Sequence, residues 1–260
     1  MVTNTFYKST LFIFLLHTLL YAGKSGGNTF TPNYSFSNIA INYLDWTQQT
    51  HNLTEQEDFA YISVEGGAGW DSAELYAIVN LENPMKTPQD EAPKDLRYTL
   101  FADFDIKVKD GWRLHFQDYY LRGNSFYVND FVVGASYKYV SDFGLWIKPF
   151  IGAHLTNDTY FDGWNGYMTG WTFNYDFKMW NEKFSLFQWN EIEFARAKAF
   201  YEFEGEATGD GRSYGLNGAL SLWWHINPSF TTGVQYRYAD NKLGSPEYQS
   251  AMVYSMKYNF

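Results

Sequence analysis

The chain has 260 residues, no cysteine and a formal net charge of −10. The missing cysteines exclude a disulfide framework and any Cys-based metal site, and the acidic balance argues against a nucleic-acid partner. Aromatic residues make up 21% of the chain, more than a water-soluble core needs, yet mean hydropathy is negative and no apolar run beyond the N-terminus could cross a bilayer as a helix.

The N-terminus comes first. Lys8 gives a weakly positive start, and Leu11–Leu20 is an apolar run followed by Tyr21-Ala22-Gly23. The run is about half of the roughly 20 residues that a spanning helix needs. Residues 1–22 are therefore expected to be a secretory signal, cleaved near Ala22 or Gly23. Residues 23–33 read as a flexible lead-in, and 34–260 as one domain.

From Tyr34 onward the pattern is alternation, the period of a half-buried strand. It predicts about twelve strands, near 34–47, 58–66, 72–81, 96–108, 112–121, 127–140, 144–155, 166–180, 184–197, 212–225, 229–239 and 248–260. In the last, Met252, Tyr254, Met256 and Tyr258 share one face, and Gln249, Ala251, Val253, Ser255 and Lys257 the other. A face rich in aromatics suits lipid, and a polar face suits a wet interior. Short connections (67–71, 109–111, 141–143, 181–183, 226–228) alternate with long polar ones (48–57, 82–95, 122–126, 157–165, 198–211, 240–247). This predicts an all-β, transmembrane, antiparallel up-and-down β-barrel with both termini periplasmic.

Two local geometries follow. Inner residues are odd-numbered on both sides of Lys109-Asp110-Gly111, which predicts a three-residue loop with Gly111 in the left-handed region. In the ninth strand Phe187 and Trp189 share a face with Glu191 and Glu193, which predicts a bulge near Gln188.

The inner face is mixed in sign. Arg97, Lys107, Arg113, Lys138, Lys148, Lys178, Arg237 and Lys257 stand against Asp103, Asp105, Asp176, Glu191 and Glu193, with Gln117, Asn174, Asn217 and Gln235 as neutral partners. A barrel well above eight strands is too wide to be filled by side chains, so the set is expected to line a polar pore. His115 is expected to meet Asp105 across a hairpin as a structural pair. The histidines show no metal spacing, no G-x-S-x-G is present, and no cofactor or metal is expected. The carboxylate pairs Asp103/Asp105 and Glu191/Glu193 could hold Ca²⁺, but compensation by nearby Lys and Arg is the simpler account. Most tryptophans are expected in the interfacial girdle, with Trp146 and Trp189 turned inward.

Asp58–Pro84 (DFAYISVEGGAGWDSAELYAIVNLENP), Arg97–Lys107 (RYTLFADFDIK) and Ser250–Phe260, with its terminal Phe, resemble segments of the nucleoside-specific channel-forming family, the Tsx-like porins. The resemblance implies a twelve-stranded monomeric barrel with a keyhole-shaped lumen that takes up nucleosides by base stacking and ribose hydrogen bonds. The expectation is a bacterial outer-membrane channel for small hydrophilic solutes, nucleosides first, surrounded by outer-membrane lipid and lipopolysaccharide, and not an enzyme. The alternatives are a lipid hydrolase or acyltransferase, which needs a nucleophile and histidine on the lipid face, and a surface-binding barrel.

Overall fold

The computed structural model describes residues 31–203, 206–207 and 210–260; the expected signal segment and residues 23–30 of the lead-in lie outside them. The strands are β1 (Tyr34–Trp46), β2 (Phe59–Gly69), β3 (Ala73–Glu82), β4 (Arg97–Lys109), β5 (Trp112–Arg122), β6 (Tyr127–Tyr137), β7 (Tyr139–Val140), β8 (Leu145–Asp158), β9 (Asp162–Met179), β10 (Glu182–Phe194), β11 (Glu202–Phe203), β12 (Glu206–Ala207), β13 (Tyr214–Asn227), β14 (Phe230–Asp240) and β15 (Gln249–Asn259). Two short helices, α1 (Gln48–Leu53) and α2 (Lys198–Tyr201), lie in connections. Successive long strands pair antiparallel, and β1 pairs with β15 from Asn38↔Asn259 to Trp46↔Ala251, which closes the sheet. β7 continues β6 against β8, so the wall is a closed barrel of twelve antiparallel staves; β11 and β12 form a separate hairpin. Tyr34 and Asn259 both stand at the end that carries the short turns.

Alternation sorts the two faces. On β15, Tyr254 is 48% and Met256 62% exposed, while Val253 is 1% and Ser255 8% exposed. An aliphatic and aromatic band therefore covers the outside, and small, polar and charged groups fill the inside. Trp112, Trp180 and Trp224 stand exposed at the turn end, and Trp164 at the loop end. Trp46, Trp146, Trp189 and Trp223 point inward instead, so the girdle holds only part of the tryptophan set.

Four local expectations need correction. First, Lys109 pairs with Trp112, leaving a two-residue turn of Asp110 (φ 48°) and Gly111 (φ 88°). Positive φ at both positions is the backbone of the type I′ hairpin turn. A bulge between Lys107 and Lys109 keeps odd residues inside on both strands. Second, β10 runs through Gln188 in unbroken register with both neighbours, so Phe187 and Trp189 face inward. Third, the supposed long connection at 157–165 shrinks to residues 159–161. Asp158 accepts from the Tyr160 and Phe161 amides (2.6 Å each) and turns the chain there. Fourth, the sixth strand breaks at Lys138, whose amide donates to Gly111 O (2.9 Å) in the neighbouring turn and leaves the β8 ladder.

Candidate functional site

The inner face is organised into ion-paired clusters stacked along the barrel. At the turn end, Glu74 of β3 draws in three cations. Lys138 Nζ lies 2.9 Å from both of its oxygens, Arg113 3.3 Å and Lys107 4.0 Å away. Trp146 and Tyr34 lie under the Lys138 ammonium at 5.3 and 5.8 Å. Gly67 and Gly69 on β2 leave room for the Phe36 and Tyr34 rings, which a Cβ at either position would meet.

One layer further in, Lys148 of β8 donates to Asp103 (2.7 Å) and Asp105 (2.5 Å) of β4. Asp105 also accepts from Ser136 (2.7 Å) and faces His115 Nδ1 at 3.0 Å, with His115 wholly buried. Beside this layer Gln117 of β5 reaches across the interior to Glu191 of β10 (2.7 Å). The carboxylates and histidine at Asp103, Asp105 and His115 are close enough to ligate a metal, as are those at Asp130, His154 and Glu193. In each group a lysine ammonium, Lys148 or Lys242, already bonds two of the carboxylates. The donor sets are therefore matched to an internal cation.

At the loop end, Asp130 of β6 faces His154 (2.9 Å) and accepts from Thr156 (2.7 Å) of β8. Glu193 of β10 accepts from Arg196 Nε (2.8 Å). Lys242, from the segment joining β14 to β15, inserts between them and pairs with Asp130 (3.4 Å) and Glu193. Burial alone would lower the Lys242 pKa, but the Glu193 and Asp130 carboxylates outweigh it and hold the ammonium well above the usual lysine range. The segment is tied down elsewhere as well. Arg196 donates to Asn241 O (2.9 Å), Gln249 to Lys242 O (2.8 Å), Gln56 to Leu243 O (3.2 Å), and the Gly244 amide to Asp210 (2.8 Å).

Further pairs line the rest of the inner face. Arg97 pairs with Glu82 (3.0 Å) beside the Phe59 ring. Lys257 pairs with Glu65 (2.6 Å) and lies 3.9 Å over the Trp223 ring. Asp176 accepts from Asn174 (2.8 Å) and Ser185 (2.7 Å), and Lys178 stands exposed opposite Lys183 near the turn end. Gln235 donates to Ser221 (2.9 Å), and Arg237 is half-buried with no partner for its Nε. Tyr61, Tyr76, Phe101, Tyr119, Phe187 and Trp189 also face inward and remain partly exposed. Partial exposure on an inner face means contact with interior water.

The model of the family described as nucleoside-specific channel-forming protein, Tsx, matches residues 41–260. The chain belongs to this family. Among solved structures, a NanC porin superposes with a TM-score of 0.51 at 10% identity, over 85% of this chain and 98% of that one. A KdgM porin gives 0.46 at 12% identity, over 85% and 99%. An outer-membrane channel from Pseudomonas putida F1 gives 0.47 at 11% identity, over 92% and 100%. The first of these supports the porin-like barrel; at such identities the likeness is one of fold alone.

The protein is thus an outer-membrane solute channel of bacteria, and not an enzyme. The strand histidines do not suit the hydrolase alternative either: His115, His154 and His225 face inward and are engaged by Asp105, Asp130 and Ser185, while His51 lies in the α1 connection against Asp58 (3.1 Å). Every residue of the mixed-sign set from Arg97 to Arg237 lies on the channel's inner face. Several partners in its clusters were not in that set: Glu65, Glu74, Asp130, Arg196, Trp223 and Lys242. Strand parity marks Glu65, Glu74, Asp130 and Trp223, whereas nothing local marks Lys242.

Proposed function

We propose that this channel carries nucleosides, recognising the base by stacking and the ribose by hydrogen bonds. The carrying observation is the set of partly exposed inner aromatics, with Phe187 and Trp189 on β10 and Tyr61 and Tyr119 on β2 and β5. Charged clusters elsewhere are paired internally, so these rings and their polar neighbours Gln235 and Arg237 are what remains to meet a neutral solute. The family's description points to the same substrate. The short turns face the periplasm, and the outer band meets lipid and lipopolysaccharide around a single working chain. The signal segment at 1–22 is removed on export.

The test is single-channel current in planar bilayers as adenosine is added. Current block by adenosine is expected, and Trp189→Ala should weaken it while the open conductance stays near wild type. Base–aromatic stacking is worth about 1–3 kcal/mol per base, so the weakening should be roughly 5- to 150-fold. Conductance steps that ignore adenosine would remove the nucleoside and leave the channel.

A further inference from the structure

A cavity of about 580 Å³ opens at the turn end of the barrel, beside the turns that join β2 to β3 and β4 to β5. Its size falls within the roughly 300–1,000 Å³ of small-molecule pockets. Lys107, Arg113 and Lys138 line it, and Glu74 is the carboxylate they share. Over the whole lining, Lys107, Lys109, Arg113 and Lys138 stand against Asp71, Glu74 and Asp110, a formal excess of one positive charge. The other charged groups nearby are already engaged. Asp71 at the rim accepts from Asn33 (2.7 Å), and Lys109 and Asp110 pair with each other (3.7 Å). The Asp103 and Asp105 carboxylates behind the cavity are occupied by Lys148 and His115.

We propose that this cavity is a second binding site, separate from the nucleoside path, for an anion bearing a phosphate group. A phosphate monoester carries about −1.5 to −2 charge near neutrality and three strong acceptor oxygens, one for each of the three cations. A carboxylate offers only two oxygens. Arg113 is 7% exposed, and its Nε–H has no partner although Gly111 O and Glu74 take the other nitrogens. That Nε is itself buried, so the donors Arg113 can offer a phosphate oxygen are the second hydrogens of its two Nη groups. Lys138 and Lys107 add charge without a fixed direction, as ammonium groups do. The Tyr34 and Trp112 rings line the same cavity and offer a surface for whatever the phosphate is attached to. An anion seated here offsets the positive charge at this mouth, so occupancy makes anion entry from that side less favourable.

The experiment is titration calorimetry on the full-length channel in detergent, with inorganic phosphate, adenosine monophosphate and adenosine as probes. Saturable binding of both phosphates is expected. Lys138→Gln and Arg113→Gln should each weaken it at least about ten-fold, since a hydrogen bond to a charged group is worth about 1.5–3 kcal/mol. Glu74→Gln should tighten it, a gain that misfolding cannot imitate, and Lys138→Arg should restore most of the affinity. Equal affinity for the two phosphates assigns recognition to the phosphate group alone. Tighter binding of the monophosphate extends recognition to the Tyr34 and Trp112 rings. In bilayers, phosphate should shift the reversal potential only when added on the turn side. The proposal is overturned if neither phosphate binds, if Lys138→Gln and Glu74→Gln leave affinity unchanged, or if adenosine competes for the same site. None of these results touches adenosine block at Trp189.

Discussion

Replacing Lys242 by Met removes the ammonium that ties the β14–β15 connection to both Asp130 and Glu193, while keeping most of the side chain's bulk. Removing one partner of a buried ion pair costs about 3–5 kcal/mol, because the other charge stays buried without compensation. Here the two carboxylates keep other donors: Arg196 on Glu193, and Thr156 on Asp130. The loss should therefore fall near the lower end, about 3 kcal/mol, or more than 100-fold in the folding equilibrium. The assay is a urea titration of folding into lipid vesicles, paired with reversal potentials under a salt gradient. Lys242→Met should fold less stably and prefer cations more strongly than wild type, because one positive charge is lost beside Asp130 and Glu193 and only Glu193 keeps a cationic partner, Arg196. Adding Glu193→Gln should recover part of the stability, as expected of a coupled pair. The Lys242 pKa is raised in the folded channel, so its contribution is complete below the ordinary lysine value of about 10.4 and is lost only as pH rises beyond it. Wild-type stability and selectivity in Lys242→Met would refute the tie.

Other outcomes follow from the faces and turns. Tyr254→Arg places a charge on the outer band of β15 and should cost about 2–4 kcal/mol in the same urea titration. Ser255→Arg, one residue along and facing inward, should instead narrow the passage and reduce conductance; equal destabilisation by the two would mean that the alternation does not divide lipid from interior. Gly134→Ala puts a Cβ against the Ile151 carbonyl and Gly152 on the facing strand and should destabilise the barrel by about 1–3 kcal/mol, whereas a neutral result would show that β6 and β8 can separate locally. In the 83–96 connection the Thr87 amide and hydroxyl donate to Asp90 (2.6 and 3.1 Å) and hold its carboxyl below the usual range. A depressed carboxyl stabilises above its unfolded value, about 3.9, and loses that contribution as pH falls below it. The protection factor of the Thr87 amide, its exchange rate relative to the unstructured amide at the same pH, should therefore fall below about pH 4 in wild type and be low at every pH in Asp90→Asn.

The fold is legible because lipid imposes a requirement on every second residue. Tyr254 and Ser255 announce their faces without knowledge of their neighbours. Parity decides nothing where two arrangements satisfy it equally. A three-residue loop and a two-residue turn with a bulge both keep Lys107 and Arg113 inside, so residue type cannot choose between them. Phe187 and Trp189 share a face with Glu191 and Glu193, and a bulge near Gln188 is one way to reconcile the rings with the carboxylates. An unbroken hydrogen-bond ladder keeps all four inside. Asn157 and Asp158 read as loop, yet a stave that rises past the bilayer can be polar and still remain paired.

The same distinction governs the interior clusters. The His115–Asp105 pair is readable because it lies across one hairpin, and a register fixed by the turn dictates it. Gln117 and Glu191 are 74 residues apart and Lys242 and Asp130 are 112 apart, and each pair spans the interior. Alternation states which face a residue takes. It is silent on which residue waits across the opening, because that depends on barrel cross-section, side-chain reach and the path of a connection with no period of its own. Lys242 illustrates the limit. It sits in a polar stretch that reads as an external loop, and its inward course exists because Arg196, Gln56, Asp210 and Gln249 each hold a different point of that stretch. The residues that narrow this channel were therefore the hardest to read, since narrowing is a relation between opposite walls and the sequence describes one wall at a time.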